Sequence, residues 1–142
     1  QTTATALTNR NWCKFITSFS DVLHGKTVHW VGSSDQNLDM FQEIFNIELS
    51  DILTIPAIDG WLEYSNINDY CQKYDDGDVV LMSCGPISRI LVKEWFEKRP
   101  NVSFVGVGSI FDPFTKNVWH ACHRGWLRTG TNETQKCKGC NP

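Results

Sequence analysis

The segment that most constrains the fold is an apolar, β-branched run at residues 78–83 (DVVLMS), which Cys84, Gly85 and Pro86 connect to a helical pattern at residues 87–97. A continuous apolar run of this kind is typical of a strand whose two faces are both covered. Proline suits the first turn of a helix. The segment therefore predicts a buried strand that turns directly into a helix.

The rest of the chain alternates in the same way. Apolar residues at helical spacing predict helices over residues 11–23, 38–45 and 65–73, and short apolar runs predict strands over residues 27–31, 52–55 and 101–107. Ser34 or Asp35 is expected to cap the second helix and Ser65 the third. Strands separated by helices pair in parallel through crossover connections. We predict an α/β, three-layer Rossmann-like fold with a mainly parallel sheet of four or more strands.

Length and composition exclude several classes of protein. The 142 residues suit a single domain, with residues 1–8 as a leader and residues 129–142 as an irregular Cys-containing tail, and this domain could be part of a larger protein. The 6 Trp, 8 Phe and 3 Tyr argue against a disordered chain. The longest apolar run, residues 79–82, predicts no membrane span, and no signal peptide is visible. A net charge of −3 predicts no nucleic-acid partner.

The six cysteines do not have the distribution of a disulfide scaffold, because only three of them cluster. A domain of this size folds without disulfides, so we expect a reducing compartment and a cytoplasmic location. The clustered residues Cys122, Cys137 and Cys140, with His120 or His123, have the spacing of a structural zinc site. A disulfide among them, or free thiols, are the alternatives.

The carboxyl ends of the predicted strands are rich in small residues. Ligands of open parallel sheets bind at these ends, where small residues allow backbone N–H groups to approach a ligand and helix N-termini favour anions. The pattern favours a phosphate or nucleotide ligand, although tight βα turns also require such residues. No complete nucleotide fingerprint accompanies it. The candidate residues are Gly32, Ser33, Pro56, Ser83, Gly85, Pro86, Gly108 and Ser109.

Asp112 is the candidate acidic group, since it follows the fourth predicted strand. Its carboxylate could bind a sugar hydroxyl or a metal ion, or accept a proton. The alternative is an Asx turn before Pro113. Further on, Lys116, His120, His123 and Arg124 could neutralise a diphosphate, or they could form a solvated basic surface.

Residues 75–86, the helix after them and residues 105–113 (VGVGSIFDP) together resemble the GT-D type of glycosyltransferase, and residues 25–32 and 55–57 match the same order of elements. The resemblance covers roughly residues 21–115. It implies an enzyme whose partners are a nucleotide-diphosphate sugar and a glycan acceptor. Asp112 would be catalytic, while the strand-end residues, His120, His123 and Arg124 would bind the donor. Manganese or magnesium could serve as cofactor.

One feature of that family is absent. Its Asp-x-Glu motif lies in an N-terminal segment that has no counterpart here, so metal dependence stays open. Two other functions are therefore kept. The chain could be a non-catalytic domain that binds a nucleotide or a glycan, or a zinc-stabilised interaction module.

Overall fold

The computed structural model describes residues 12–115, with the side chains of residues 12, 13 and 113 left aside. The chain order is α1 (Trp12–Leu23), β1 (Val28–Ser33), α2 (Asp39–Phe45), β2 (Leu49–Ile55), a 3₁₀ turn (Gly60–Glu63), α3 (Tyr64–Cys71), β3 (Val79–Ser83), α4 (Ile87–Lys98), β4 (Ser103–Gly106) and α5 (Asp112–Thr115). None of these helices is long and apolar enough to cross a membrane.

The four strands form one parallel sheet in the order β2-β1-β3-β4. The two central strands, β1 and β3, are buried along nearly their whole length, so side chains on both of their faces are covered. This is the burial pattern of a three-layer α/β fold. The predicted Rossmann-like α/β fold with four parallel strands is confirmed.

The described residues divide into two compact units. One contains α1, α2 and α5, and its described residues are 12–24, 37–47 and 112–115. Its helices meet through aromatic rings: Phe19 lies edge-on to Phe45 at 5.8 Å between centroids, and Phe45 is 6.2 Å from Phe114. The backbone N–H of Asn37 donates to the carbonyl of Thr115.

The second unit, Gly25–Gln36 and Glu48–Phe111, contains the whole sheet, the 3₁₀ turn, α3 and α4. Its apolar core joins one face of the sheet to these two helices. Trp95 of α4 packs on Phe104 of β4 with 5.7 Å between ring centroids, and Leu91 is fully buried. The core residues on this face are Val31, Ile55, Ile67, Tyr70, Cys71, Tyr74, Val80, Met82, Cys84, Ile87, Leu91, Trp95, Val102 and Phe104.

Strand β2 begins three residues earlier than the predicted 52–55. As an edge strand it exposes Ser50, Asp51 and Ile52, so its first half lacks the apolar run on which the prediction depended. The carboxylate of Asp51 accepts a hydrogen bond of 2.9 Å from the N–H of Ile52. The strand is therefore identified by its pairing with β1 and not by its own apolar pattern.

The predicted helix caps are wrong. Neither Ser34 nor Asp35 caps α2; instead the side-chain oxygen of Asn37 accepts a hydrogen bond of 2.8 Å from the N–H of Asp39. Ser65 does not cap α3, because that helix starts at Tyr64 as a direct continuation of the 3₁₀ turn. Caps depend on where a loop ends, which a local sequence pattern specifies poorly.

Replacement of Leu91 by Ala tests the packing of α4 on the sheet. We expect L91A to lower the free energy of unfolding by about 2–5 kcal/mol, since the leucine is fully buried and its loss leaves a cavity. The matched control is I90A on the same helix, where the side chain is 54% exposed and the expected change is below about 0.5 kcal/mol. Urea unfolding would measure both values. Equal changes in the two variants would contradict the described packing.

The two buried thiols predict how stability depends on pH. Burial raises the pKa of Cys71 to about 12 and that of Cys84 to about 11, from an ordinary value of 9.0. Above pH 9 the unfolded chain loses these protons while the folded chain keeps them, so the free energy of unfolding falls as pH rises towards 11. We expect a loss on the order of 1 kcal/mol per thiol between pH 8 and pH 10. Urea unfolding of the wild type and of a C71A/C84A variant measures this contribution; an equal pH dependence in both would contradict it.

Candidate functional site

The carboxyl ends of all four strands lie along one edge of the sheet, as parallel pairing requires. The chain leaves β1 towards β2 on one side and β3 towards β4 on the other, so the topological switch point lies between β1 and β3. Open α/β sheets bind ligands in the crevice at such a point. The structure brings the predicted strand-end residues to this edge or to the turns that follow it, namely Gly32, Ser33, Pro56, Ser83, Gly85, Pro86, Gly108 and Ser109.

A side chain that sequence analysis missed, the amide of Gln36, connects the strand ends at the switch point. Its Oε1 accepts hydrogen bonds from the indole Nε1–H of Trp30 at 3.2 Å and from the backbone N–H of Ser33 at 3.0 Å. Its Nε2 donates to Oγ of Ser83 at 2.9 Å. Ser83 then donates to the carbonyl of Gly108, also at 2.9 Å. We call these residues, Trp30, Ser33, Gln36, Ser83 and Gly108, the Gln36 network.

The Gln36 network explains the glycine at position 32. A Cβ atom at Gly32 would overlap both the amide oxygen of Gln36 and the indole nitrogen of Trp30. Gly32 pairs with Ser83 across the β1–β3 ladder, so the bare backbone leaves room for the amide to reach Ser83. Any side chain at this position would displace the network.

The hydroxyl of Ser33 takes no part in the Gln36 network, which uses only the backbone N–H of this residue. Its Oγ is buried and has no hydrogen-bond partner among residues 12–115. A buried hydroxyl without a partner is costly, and such groups are few in folded proteins. Since Ser33 is the last residue of β1, this hydroxyl lies at the switch point. It can donate one hydrogen bond to a bound acceptor such as a phosphate oxygen.

The amino end of α4 follows β3 after a tight turn. Gly85 has φ +66°, a left-handed conformation that glycine adopts without strain, and Pro86 directly precedes the helix. Oγ of Ser88 donates to the carbonyl of Gly85 at 2.7 Å, which fixes the turn. The first turn of α4 contains no acidic residue, so nothing in it neutralises the positive end of the helix dipole. This end of the sheet therefore suits an anion.

The remaining candidate residues belong to other parts of the chain. Asp112 is half-buried and is the first residue of α5, in the unit that does not contain the sheet. His120, His123 and Arg124, and the proposed zinc ligands Cys122, Cys137 and Cys140, lie outside the described residues. Within residues 12–115, no group of three His, Cys, Asp or Glu side chains is arranged to hold a metal ion. Neither manganese, magnesium nor zinc is therefore assigned to this part of the chain.

A second set of polar contacts, which sequence analysis also missed, joins the strands at the amino edge of the sheet. Nε2 of His29, near the start of β1, is 2.9 Å from Oδ2 of Asp78, which directly precedes β3, and both residues are buried. The same carboxylate oxygen accepts a hydrogen bond from the N–H of Asp75. Two polar residues at the starts of adjacent apolar strands are a signal that could have predicted this pair. The contacts fix the amino ends of β1 and β3.

Comparisons of the chain with protein-family models, with curated proteins and with solved structures each found no match. The functional assignment therefore depends on the chemistry of the carboxyl edge.

Replacement of Gly32 by Ala tests the Gln36 network. We expect G32A to lower the free energy of unfolding by about 1–3 kcal/mol, because the new methyl group overlaps two polar atoms that cannot both move without breaking hydrogen bonds. The matched control is G106A, at the end of β4, where the nearest atom to a new Cβ is Oγ of Ser88 at 3.4 Å, an ordinary contact. Chemical unfolding would compare the two. A G32A variant as stable as G106A would contradict the packing described at the switch point.

Proposed function

We propose that this chain is a glycosyltransferase domain that binds a nucleotide-diphosphate sugar at the carboxyl edge of its sheet and transfers the sugar to an acceptor hydroxyl. The observation that carries the proposal is the arrangement at the switch point between β1 and β3. There the Gln36 network forms a connected polar floor and leaves the hydroxyl of Ser33 unpartnered within the described residues.

The chemistry of a diphosphate supports this choice of ligand. A diphosphate carries several acceptor oxygens and a negative charge, so it needs hydrogen-bond donors and a positive potential. Ser33 offers a donor at the end of β1, and the uncompensated amino end of α4 offers the potential at the end of β3. Parallel pairing of β1 with β3 brings these two strand ends side by side.

The transfer itself needs an acid–base group and stabilisation of the leaving group. In the proposed reaction the bond from the sugar to the diphosphate breaks, a bond to the acceptor oxygen forms, and the acceptor's proton passes to a base. Asp112 is our candidate for the carboxylate beside the sugar, and it is supported by its sequence position after β4 and by the resemblance to GT-D enzymes. His120, His123 and Arg124 are candidates to neutralise the departing diphosphate, because fixed cations stabilise charge that develops in a transition state.

A thermal-shift series tests donor binding. The full chain is heated with UDP, GDP and their common sugar conjugates, with and without manganese. A ligand at 100 times its dissociation constant adds about 2.7 kcal/mol of stability, so we expect one nucleotide to raise the melting temperature by several degrees. We expect S33A to reduce that shift, because it removes the free hydroxyl. The control S50A replaces an exposed serine at the start of the edge strand and should keep the full shift.

The possible outcomes separate the alternatives. Binding together with transfer, and loss of transfer but not of binding in D112N, agree with the proposed enzyme. Binding without turnover of any donor would favour a non-catalytic nucleotide-binding domain. If no nucleotide changes the melting temperature, donor binding at this edge is contradicted.

A further inference from the structure

A cluster of exposed apolar side chains follows strand β2 at the carboxyl edge of the sheet. Ile58, Trp61 and Leu62 are close together in the chain, and all three are largely exposed. Trp61 belongs to the 3₁₀ turn, which contains no buried residue. Its side chain is 65% exposed, and its indole Nε1–H donates to Oδ1 of Asp59 at 3.4 Å. Neighbouring apolar groups that are left in contact with water mark a candidate binding surface.

The 3₁₀ turn lies against the end of β2. A Cβ atom at Gly60 would come within 3.0 Å of Cδ1 of Ile55, so the backbone of the turn packs directly on that side chain. Ile55 is the last residue of β2, and it pairs with Ser33, the last residue of β1. Adjacent strands are about 4.8 Å apart. The turn that contains Trp61 is therefore one strand away from the Ser33 hydroxyl, which has no partner within residues 12–115.

The Ser33 hydroxyl and the 3₁₀ turn lie on the same face of the sheet. Side chains alternate between the two faces of a strand, so Ser33 projects on the same face as Val31. Val31 and Ile55 belong to the core that α3 and α4 cover, and Ile87, the first residue of α4, belongs to the same core. The 3₁₀ turn leads directly into α3. The Ser33 hydroxyl, the turn with Trp61 and the start of α4 therefore border one region of the carboxyl edge.

The charges around Trp61 determine which part of a nucleotide suits this surface. Asp59 and Glu63 flank the tryptophan, and residues 56–63 contain no basic side chain. A phosphate group would meet negative charge at this turn, whereas the amino end of α4 attracts it. A nucleobase is uncharged and has two flat faces, which stack on exposed aromatic rings. A sugar ring is surrounded by hydroxyl groups, with which the apolar side chains of the turn form no hydrogen bonds.

We propose that the indole ring of Trp61 stacks on the base of the nucleotide whose diphosphate binds beside Ser33 and the amino end of α4. This inference rests on the proposed donor site and adds to it the position of the base. Ile58 and Leu62 contribute the apolar surface around the stacked base. The bound nucleotide thus extends from the switch point towards the edge strand β2, and its sugar end points away from β2.

Calorimetric titration of the full chain with UDP and with GDP tests the stacking. We expect W61A to weaken binding of the preferred nucleotide by about 5-fold to 150-fold, the range that corresponds to loss of an aromatic ring stacked on a base. We expect W61F to lose less affinity, because a phenyl ring still stacks. The matched control is F96A, which removes a similarly exposed aromatic ring (73%) near the end of α4, away from the carboxyl edge, and should keep the wild-type affinity.

Tryptophan fluorescence gives a second measurement that does not depend on activity. A base stacked on an indole ring quenches the emission of that ring. We expect the preferred nucleotide, at saturating concentration, to quench the emission of the wild type and to quench that of W61F less. Equal quenching in the two proteins would contradict the stacking.

The outcomes separate this inference from the donor site on which it rests. If W61A binds UDP or GDP as tightly as the wild type while S33A does not, the donor site stands and the role of Trp61 is wrong. If W61A weakens binding of a nucleotide sugar but not of the free nucleoside diphosphate, the ring contacts the sugar and the proposal is overturned. If the wild type binds neither nucleotide, the donor site itself is contradicted and the inference fails with it.

Discussion

The hydrogen bonds of the Gln36 side-chain amide hold together the carboxyl edge of this sheet. The amide must accept from two donors, the indole of Trp30 and the backbone N–H of Ser33, and donate to Ser83 at the same time. Because the amide donates to Ser83, the serine's own proton remains available for the carbonyl of Gly108. A glutamate at position 36 would accept the hydrogen bond of the Ser83 hydroxyl, and the carbonyl of Gly108 would then lose its donor. The side chain at position 36 must therefore accept through one atom and donate through another, as a side-chain amide does.

The two edges of the sheet are built differently although the same strands form both. At the amino edge, the His29–Asp78 pair joins the strand starts, and the guanidinium of Arg99 donates to the carbonyls of Gln72 and Tyr74. At the carboxyl edge, the polar groups are also joined, but the hydroxyl of Ser33 has no partner within residues 12–115 and the first turn of α4 contains no acidic residue. Since the groups of the Gln36 network are already hydrogen-bonded to one another, they hold the ends of β1 and β3 in fixed positions.

Much of the fold could be predicted from local patterns, because β3 and α4 carry unambiguous signals. The run VVLM reads as a strand covered on both faces, and the turn through Gly85 and Pro86 determines where the helix begins. The positions of the small strand-end residues followed from parallel pairing alone. The start of β2 could not be predicted in this way, because an edge strand need not be apolar.

The site was harder to predict than the fold for a physical reason. Gln36 lies three residues beyond β1 and contacts Ser83, 47 positions away in the chain, so no sequence window contains both partners. The sequence indicates only that a small residue stands at position 32. Glycine is needed there because a Cβ atom would overlap the side chains of Trp30 and Gln36. The roles of Asp112 and of the cations after it stay predictions that depend on residues beyond the sheet-containing unit.

The hydrogen bond from Ile52 to Asp51 bears on how this chain behaves at high concentration. An edge strand offers its backbone amides to any other strand, and this is a common route to sheet extension and aggregation. In β2 the amide of Ile52, at the centre of the strand, is already engaged by the carboxylate beside it. A second strand could pair there only by displacing that carboxylate and by placing its own backbone next to a negative charge. Asp51 therefore protects the open edge of β2 against pairing with the strand of a second molecule.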